Sequence, residues 1–214
     1  VTGMLTVGDL YSHRSGLPDH AGDDLEDLGY DRRQIMERLA QLPLAPFRDS
    51  YAYTNFGLTS GAEAVATAAG IDWESLSEQA LYQPAGMTRT SSRFADYIAR
   101  DNRAVPHVRD GDTWVARYQR QPDAQSPAGG VSSTAADMAR WMRLVLGDGT
   151  LDGTPLFDPA ALLPALSPQA LSAPPATPDS RPGSYGFGFD VDVTAAGRTR
   201  FDHSGAFALG ASTS

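Results

Sequence analysis

The 214-residue sequence predicts an α+β fold, and two features of its hydrophobic pattern lead to that prediction. Through most of residues 1–182 apolar side chains recur every three or four positions, as in amphipathic helices, whereas in residues 183–214 they alternate with polar ones, as in strands. A proline-rich stretch, residues 174–182, separates the two patterns and is the expected internal seam. We therefore expect one partial domain over residues 1–214, with a mainly helical and loop part followed by strands of an antiparallel sheet.

The first helix is predicted over residues 6–13. It ends before Gly16 and Pro18, which follow each other in the order that usually terminates a helix. We expect His13 to be a buried, hydrogen-bonded residue at the end of this helix rather than a catalytic base. Residues 19–27 hold five acidic side chains and are expected to form a solvated loop without a functional role.

Three more helices are predicted before the proline-rich stretch. Residues 31–42 have an apolar stripe among arginines and other polar side chains, as in a surface helix. Residues 56–69 are rich in glycine, alanine and serine, which favours a helix packed closely against a neighbour. The third helix covers residues 134–146, where the spacing of Thr134 and Asp137 resembles a capping box.

A β-hairpin is predicted near the end of the sequence. Residues 185–193 and 198–203 both alternate apolar and polar side chains, and Ala195-Ala196-Gly197 between them is typical of a turn. This hairpin is the expected contribution of the chain to an antiparallel sheet.

The composition excludes several classes of protein. Hydrophobic residues make up 41% of the chain, which is enough for a core. Seventeen basic against twenty-six acidic residues give a net charge of −9, so we expect no nucleic-acid partner. Apolar runs are far shorter than the ~20 residues of a membrane helix, so no membrane span is expected.

Most common catalytic motifs are missing from the sequence. There is no Gly-x-Ser-x-Gly elbow, no His-Glu-x-x-His and no glycine-rich phosphate loop. The four histidines lack metal-ligand spacing and there is no cysteine, so we expect neither a metal nor a cofactor. All seventeen basic residues are arginines, so a mechanism that needs a lysine amine cannot be completed within these residues.

Four short motifs remain, and their order and spacing are informative. They are residues 10–18, which include His-Arg-Ser-Gly-Leu-Pro, then Tyr53-Thr54-Asn55, residues 128–134, and His203-Ser204-Gly205. Together they resemble the serine β-lactamase and penicillin-binding-protein-like hydrolases, most closely the class C, esterase and D-aminopeptidase branch. The resemblance covers residues 6–212 and implies the β-lactamase/transpeptidase-like fold, here mostly its helical part plus a hairpin of the sheet.

The resemblance also implies where the nucleophile lies. In this family the acylated serine and a lysine form a Ser-x-x-Lys motif on a helix that would precede residue 10. By this resemblance we expect the nucleophile upstream of Val1, in agreement with the absence of any lysine, and a family domain that is truncated at both ends.

The resemblance assigns three catalytic candidates. Tyr53 would relay a proton, with its phenol pKa lowered by surrounding cations. Asn55 would hold the upstream lysine and the substrate, although it could also cap the helix that follows. His203 stands where many relatives have lysine; a neutral imidazole weakens the binding of anionic β-lactams and favours esters or amides, unless His203 is simply a solvent-facing strand residue.

Three further residues are implied to bind substrate. Ser204 and Gly205 would let the substrate lie along the strand edge, since glycine leaves room for the approach. The backbone N–H of Ala206 would supply half of the oxyanion hole.

The function that the resemblance implies is a serine hydrolase acting through an acyl-enzyme on a small-molecule ester, amide or D-amino-acid peptide. The 214 residues alone are then expected to be inactive. One alternative is a non-catalytic binding or regulatory homologue on the same scaffold, which lacks Ser-x-x-Lys in the preceding coding sequence. A second, weaker alternative is an unstable truncated product without cooperative unfolding.

Overall fold

The computed structural model describes residues 2–206 and 212–213, and it combines short helices with small antiparallel sheets. The helices are α1 (Val7–Tyr11), α2 (Asp23–Asp27), α3 (Arg32–Leu39), α4 (Asn55–Ala69), α5 (Trp73–Ser77), α6 (Phe94–Ile98), α7 (Ser126–Gly129), α8 (Ala135–Leu146) and α9 (Pro159–Leu162). Two 3₁₀ turns, Thr2–Met4 and Asp123–Gln125, and one π turn, Glu78–Tyr82, complete the helical part.

The strands form one four-stranded sheet and three small ladders. They are β1 (Val108–Asp110), β2 (Thr113–Val115), β3 (Thr150–Leu151), β4 (Thr154–Pro155), β5 (Ala170–Ala173), β6 (Gly183–Tyr185), β7 (Asp190–Val193), β8 (Thr199–Asp202), β9 (Gly205–Ala206) and β10 (Ser212–Thr213). The main sheet has the order β5-β6-β7-β8, while β1 pairs with β2, β3 with β4, and β9 with β10. All of these pairs are antiparallel.

Local capping explains where several helices begin. Thr6 accepts a hydrogen bond from the Asp9 amide, and the Asp9 carboxylate accepts one from the Thr6 amide, so α1 starts with a full capping box. At α8 only half of the predicted box forms: Thr134 accepts from the Asp137 amide at 3.2 Å. The Asp137 carboxylate instead accepts from the Arg89 amide, which ties the start of α8 to a distant loop.

The close packing predicted for residues 56–69 is present where α1 contacts α4. A Cβ built on Gly61 of α4 would lie 3.1 Å from the Tyr11 ring, so a larger residue here would require the ring to move by a few tenths of an ångström. Gly22 plays a similar part at the start of α2, because its φ is 98° and a Cβ there would lie 2.9 Å from both Ile35 and Phe56.

The apolar core has two clusters in the helical part. One contains the buried side chains of Ala21, Ile35, Leu39, Phe56 and Ala124. The other packs α8 against the π turn and β3, with buried Tyr82, Ala85, Met87, Leu144 and Leu151. The first cluster lies beneath the loops that carry the candidate site, because Phe56 directly follows Asn55 at the start of α4.

The sheet extends the predicted hairpin. The pairing of β7 with β8 is confirmed, with Val191 opposite Phe201. The strand expected over residues 185–193 is interrupted, however, because Gly186 donates to the carbonyl of Phe189 at 2.8 Å and closes a turn. In addition, β5 and β6 pair across the proline-rich stretch, so that stretch is a connection within one sheet and not a seam.

Within the part of the chain that the structure describes, no helix is both long and apolar enough to cross a bilayer.

Candidate active site

The loop before α4 is held in place by His13. The carbonyl of His13 accepts a hydrogen bond from the Ala52 amide at 2.9 Å, and its Nδ1 accepts one from the Thr54 amide at 3.1 Å. On the other side of the loop, the His20 amide donates to the carbonyl of Tyr53 at 2.7 Å. The backbone on both sides of Tyr53 is therefore fixed by residues from the end of α1 and the loop that follows it.

His13 is itself buried among aromatic rings. Its side chain is 2% exposed, and its ring centroid lies 4.4 Å from that of Tyr53, 5.6 Å from Tyr51 and 5.0 Å from Tyr185. Burial, with a smaller contribution from the charge of His203, lowers the pKa of His13 to about 4. The prediction of a buried, hydrogen-bonded histidine is confirmed, and His13 is neutral at physiological pH.

The structure brings Tyr53 and His203 close together, although they lie far apart in the sequence. Their ring centroids are 6.0 Å apart. His203 follows β8 directly and is exposed, and its Nε2 lies 2.9 Å from the hydroxyl of Tyr185. The histidine thus hydrogen-bonds a tyrosine, but the partner is Tyr185 and not Tyr53.

Asn55 lies at the first position of α4. Thr54 occupies the N-cap position, so the alternative that Asn55 caps the helix is wrong. The Nδ2 of Asn55 donates to Oδ2 of Asp23 at 3.1 Å, and the same oxygen lies 2.9 Å from Nδ1 of His20. Because a carboxylate can only accept, the amide nitrogen of Asn55 faces Asp23 and its Oδ1 faces elsewhere.

The His20–Asp23 pair lies beside Tyr53. The ring centroids of His20 and Tyr53 are 5.8 Å apart. The hydrogen bond to Asp23 is the largest cause that raises the pKa of His20. Burial lowers it, the charges of Asp19 and Asp23 raise it further, and the net shift is upward. This pair places an acidic side chain in the immediate surroundings of the candidate site.

The expectation about the pKa of Tyr53 is corrected by the structure. Burial raises the pKa of the Tyr53 phenol, and the nearby carboxylates of Asp23 and Asp190 raise it further. Burial is also the main cause that raises the pKa of Tyr51 and that of Tyr185. Carboxylates and a low-polarity environment surround the phenol where cations were expected, so Tyr53 is protonated at neutral pH.

The strand that would bind substrate follows His203. Ser204, Gly205 and Ala206 are exposed, and β9 pairs with β10 with Ala206 opposite Ser212. The segment between these two strands, residues 207–211, lies outside the described residues. The substrate-binding roles of Ser204, Gly205 and Ala206 stay predictions.

The acidic segment differs from its prediction as a solvated loop. It contains α2, which starts at Asp23, and the side chain of Glu26 is only 6% exposed. Glu26 accepts a hydrogen bond from Gln125 at 2.5 Å and forms an ion pair with Arg120. Burial is the largest cause that raises the pKa of Glu26. The expectation failed at Glu26 because its two partners lie about a hundred positions later and leave no local signal.

Sequence reasoning gave no role to three side chains near Tyr53 and His203: Tyr51, Tyr185 and Asp23. Tyr185 begins a Tyr-Gly-x-Gly sequence, which was interpreted only as strand alternation. Asp23 was one of five similar acids, and no spacing distinguished it from the others. Among the described residues, no group of three or more histidine, aspartate or glutamate side chains is arranged to hold a metal ion.

Comparison with known proteins identifies the family. The family model described as Beta-lactamase matches residues 2–214. Beta-lactamase-like protein 2 of Dictyostelium discoideum is 28% identical over 174 residues, which cover 78% of this chain and 30% of that protein. Unguisins hydrolase ungD of Aspergillus violaceofuscus is 26% identical over 155 residues, which cover 68% of this chain and 27% of that protein. The chain thus spans less than a third of the length of these curated relatives.

A solved structure supports the same fold. The D-amino acid amidase from Ochrobactrum anthropi, in complex with D-phenylalanine, superposes with a TM-score of 0.72 at 19% identity. The superposition covers 94% of this chain and 58% of the amidase. The observed arrangement of helices and antiparallel strands is the β-lactamase/transpeptidase fold that the motifs predicted. Because the family model extends over all but the first residue, this chain belongs to the beta-lactamase family.

Proposed function

We propose that this chain is part of a serine hydrolase that forms an acyl-enzyme with a small ester, amide or D-amino-acid peptide and then hydrolyses it. The main support for this proposal is the 6.0 Å distance between the ring centroids of Tyr53 and His203, which brings the Tyr-x-Asn and His-Ser-Gly motifs together in space. Since these 214 residues contain no lysine, the serine and lysine of a Ser-x-x-Lys motif come from another segment of a longer parent protein.

Tyr53 acts as a proton relay in this proposal. Its raised pKa keeps the phenol neutral, so the serine is not activated by a resident phenolate. Instead, the phenol takes the serine proton while it passes its own proton to the leaving group, and it is neutral before and after the step. Water then attacks the acyl-enzyme, and the same relay returns a proton to the serine.

Asn55 orients the groups that meet at Tyr53. Its Nδ2 is engaged by Asp23, which leaves Oδ1 as an acceptor for the ammonium group of the lysine. Ala206 supplies a backbone N–H to the oxyanion that forms on the substrate carbonyl, and the nucleophilic serine supplies the second N–H.

Charge around the site favours substrates without a carboxylate close to the scissile bond. After burial, the negative charges of Asp23 and Asp190 are the causes that raise the pKa of Tyr53, so two carboxylates act on its hydroxyl. His203 replaces the permanent charge of a lysine with an imidazole ring, which does not carry a permanent charge. Anionic β-lactams therefore bind weakly, and neutral esters and amides are preferred. The names of two similar proteins, a hydrolase and an amidase, support this substrate class.

The proposal is tested on the parent protein with p-nitrophenyl acetate and the amide of D-phenylalanine. Mass spectrometry of the protein quenched during turnover is expected to show one acyl group on the serine of Ser-x-x-Lys. Replacement of that serine by alanine should abolish both the adduct and the hydrolysis. Binding of these compounds without adduct or hydrolysis would favour the non-catalytic homologue instead.

A further inference from the structure

The geometry points to Tyr185 as a positioning residue that fixes the tautomer and orientation of the His203 ring, so that Nδ1 carries the proton and is the donor available to a substrate. The consequence for catalysis rests on the proposed function. The tautomer itself depends only on the described residues.

The side chain of Tyr185 is held in one position by the residues around it. Tyr185 is 1% exposed and lies in the middle of the main sheet, where it pairs with Ala170 of β5 on one side and Asp190 of β7 on the other. Its carbonyl accepts a hydrogen bond from the Gln169 amide at 2.8 Å. Its ring packs against His13 and Tyr51, with centroid distances of 5.0 and 5.4 Å.

His203, in contrast, has few other constraints. It is exposed and follows the last residue of β8, and its only side-chain hydrogen bond within the described residues joins Nε2 to the Tyr185 hydroxyl at 2.9 Å. Tyr185 belongs to β6 and His203 follows β8, and β7 lies between these two strands in the sheet, so the bond links strands that are not neighbours. Tyr185 therefore holds the ring from two strands away.

The direction of the hydrogen bond between Tyr185 and His203 follows from asking where the hydroxyl proton of Tyr185 can go. Burial raises the pKa of the Tyr185 phenol, so its proton is retained. That proton has no acceptor other than Nε2 among the described residues. If Nε2–H donated to the phenol instead, the hydroxyl proton would be buried without a partner, which is costly. Tyr185 therefore donates, Nε2 accepts, and the neutral ring carries its proton on Nδ1.

Negatively charged groups near His203 favour a hydrogen-bond donor over an acceptor at Nδ1, the ring nitrogen that does not bond to Tyr185. Asp202 precedes it, and the charges of Asp190 and His203 interact. Nδ1 has no hydrogen-bond partner among the described residues, so Nδ1–H is free to donate to a carbonyl or ester oxygen. The site thereby keeps a donor at this position without the permanent positive charge of a lysine. The substrate group that His203 recognises is therefore a neutral oxygen that accepts a hydrogen bond.

The test is nuclear magnetic resonance of the histidine rings in ¹⁵N-labelled protein at pH about 8, where a free imidazole is neutral. Long-range ¹H–¹⁵N correlations distinguish the protonated nitrogen of each ring, and the chain has only four histidines. The variant His203→Gln identifies the signals of His203. We expect the Nδ1–H tautomer in the wild-type protein and a mixture of tautomers in Tyr185→Phe. The matched control is Tyr118→Phe, which changes an exposed tyrosine and should leave the tautomer unaltered.

Two results would overturn the inference: an Nε2–H tautomer in the wild-type protein, or an Nδ1–H tautomer that persists in Tyr185→Phe. If Tyr185→Phe does not fold, the wild-type tautomer alone decides between the two directions of the bond. In the parent protein, Tyr185→Phe should raise KM up to about tenfold with a smaller change in kcat, the size of effect of one hydrogen bond. A parent protein without hydrolase activity would refute the proposed function and leave the tautomer assignment intact.

Discussion

The two sides of the candidate site are held in different ways. The helical wall, which we define as residues 9–20 and 48–55, is fixed by hydrogen bonds to the backbone on both sides of Tyr53. The strand edge, residues 199–206, is exposed from residue 202 onward, and among the described residues the His203 side chain has one hydrogen bond, to Tyr185. The helical wall is therefore expected to tolerate little change, whereas side chains at the strand edge can change without loss of the fold.

An ion-pair network strengthens the helical wall. Asp9 of α1 is 2% exposed, and its two oxygens accept hydrogen bonds from Arg48 at 2.7 and 2.8 Å. The Arg48 amide in turn donates to the carbonyl of Arg14 at 3.1 Å. This network joins α1 to the loop that leads to Tyr53. A buried polar network of this kind stabilises one geometry, because each member is needed to satisfy the others.

The largest expected effect is on turnover. Replacement Tyr53→Phe in the parent protein should lower kcat about 100-fold or more, because the relay hydroxyl is lost while the ring still packs. Kinetics and thermal unfolding of the same samples measure the two effects. The matched control is Tyr51→Phe, which removes a hydroxyl two positions away and should change kcat much less. Equally large losses of turnover and stability would mean that Tyr53 is only a core residue.

The next largest effect is a loss of stability as the pH falls below 6.5. The pKa of His13 is about 4 in the folded protein and ~6.5 in an unfolded chain. As the pH falls from 6.5 to 4, the unfolded chain takes up a proton that the folded protein does not, so the free energy of unfolding should fall by up to about 3 kcal/mol. Urea unfolding between pH 7 and 4.5 measures this slope.

The control for the pH dependence is His13→Asn. Asparagine tolerates the positive φ of 55° at this position and offers an acceptor to the Thr54 amide, but it does not titrate. Its stability curve should be flatter than that of the wild-type protein over the same pH range. Contributions from other groups, including His20, are common to both proteins. Identical slopes would show that His13 is not the group responsible.

A smaller effect should follow from weakening the ion-pair network of the helical wall. Asp9→Asn removes a buried charge and should lower the free energy of unfolding by about 2 kcal/mol, as expected for hydrogen bonds to a charged group. The control is Asp72→Asn, because Asp72 also pairs with an arginine, Arg93, but is 53% exposed. That change should cost less than about 1 kcal/mol in chemical denaturation. Similar losses in both variants would contradict the importance of burial at Asp9.

The smallest effect is expected at the strand edge. Ser204 is exposed, so Ser204→Ala should change the free energy of unfolding by no more than about 0.5 kcal/mol. In the parent protein KM should rise a few-fold, while kcat is nearly unchanged. A destabilisation above 1 kcal/mol would show that the strand edge is as constrained as the helical wall.

Local interactions account for what could be predicted from the sequence. The helix that begins at Ala135 was predicted because its capping residue, Thr134, lies three positions from the amide it binds. The helix that begins at Val7 was predicted because Gly16 and Pro18, which terminate helices, follow it closely in the sequence. The hairpin of β7 and β8 was predicted because alternation and a turn signal occur side by side in the chain. The family was also predicted from the sequence, because each of the four motifs is a short continuous segment. Only the order of the motifs and the distances between them had to be compared with the family pattern.

Tertiary structure alone decided the electrostatics and the partners within the site. The pKa of Tyr53 is raised and not lowered because folding buries the ring and places Asp190 near it, and neither effect leaves a trace in the neighbouring sequence. Asn55 bonds to Asp23, and His203 to Tyr185, across loops and strands whose geometry no local pattern encodes. Hydrogen bonds between close neighbours depend on short-range backbone geometry, whereas burial and charge interactions depend on which distant segments the fold brings together.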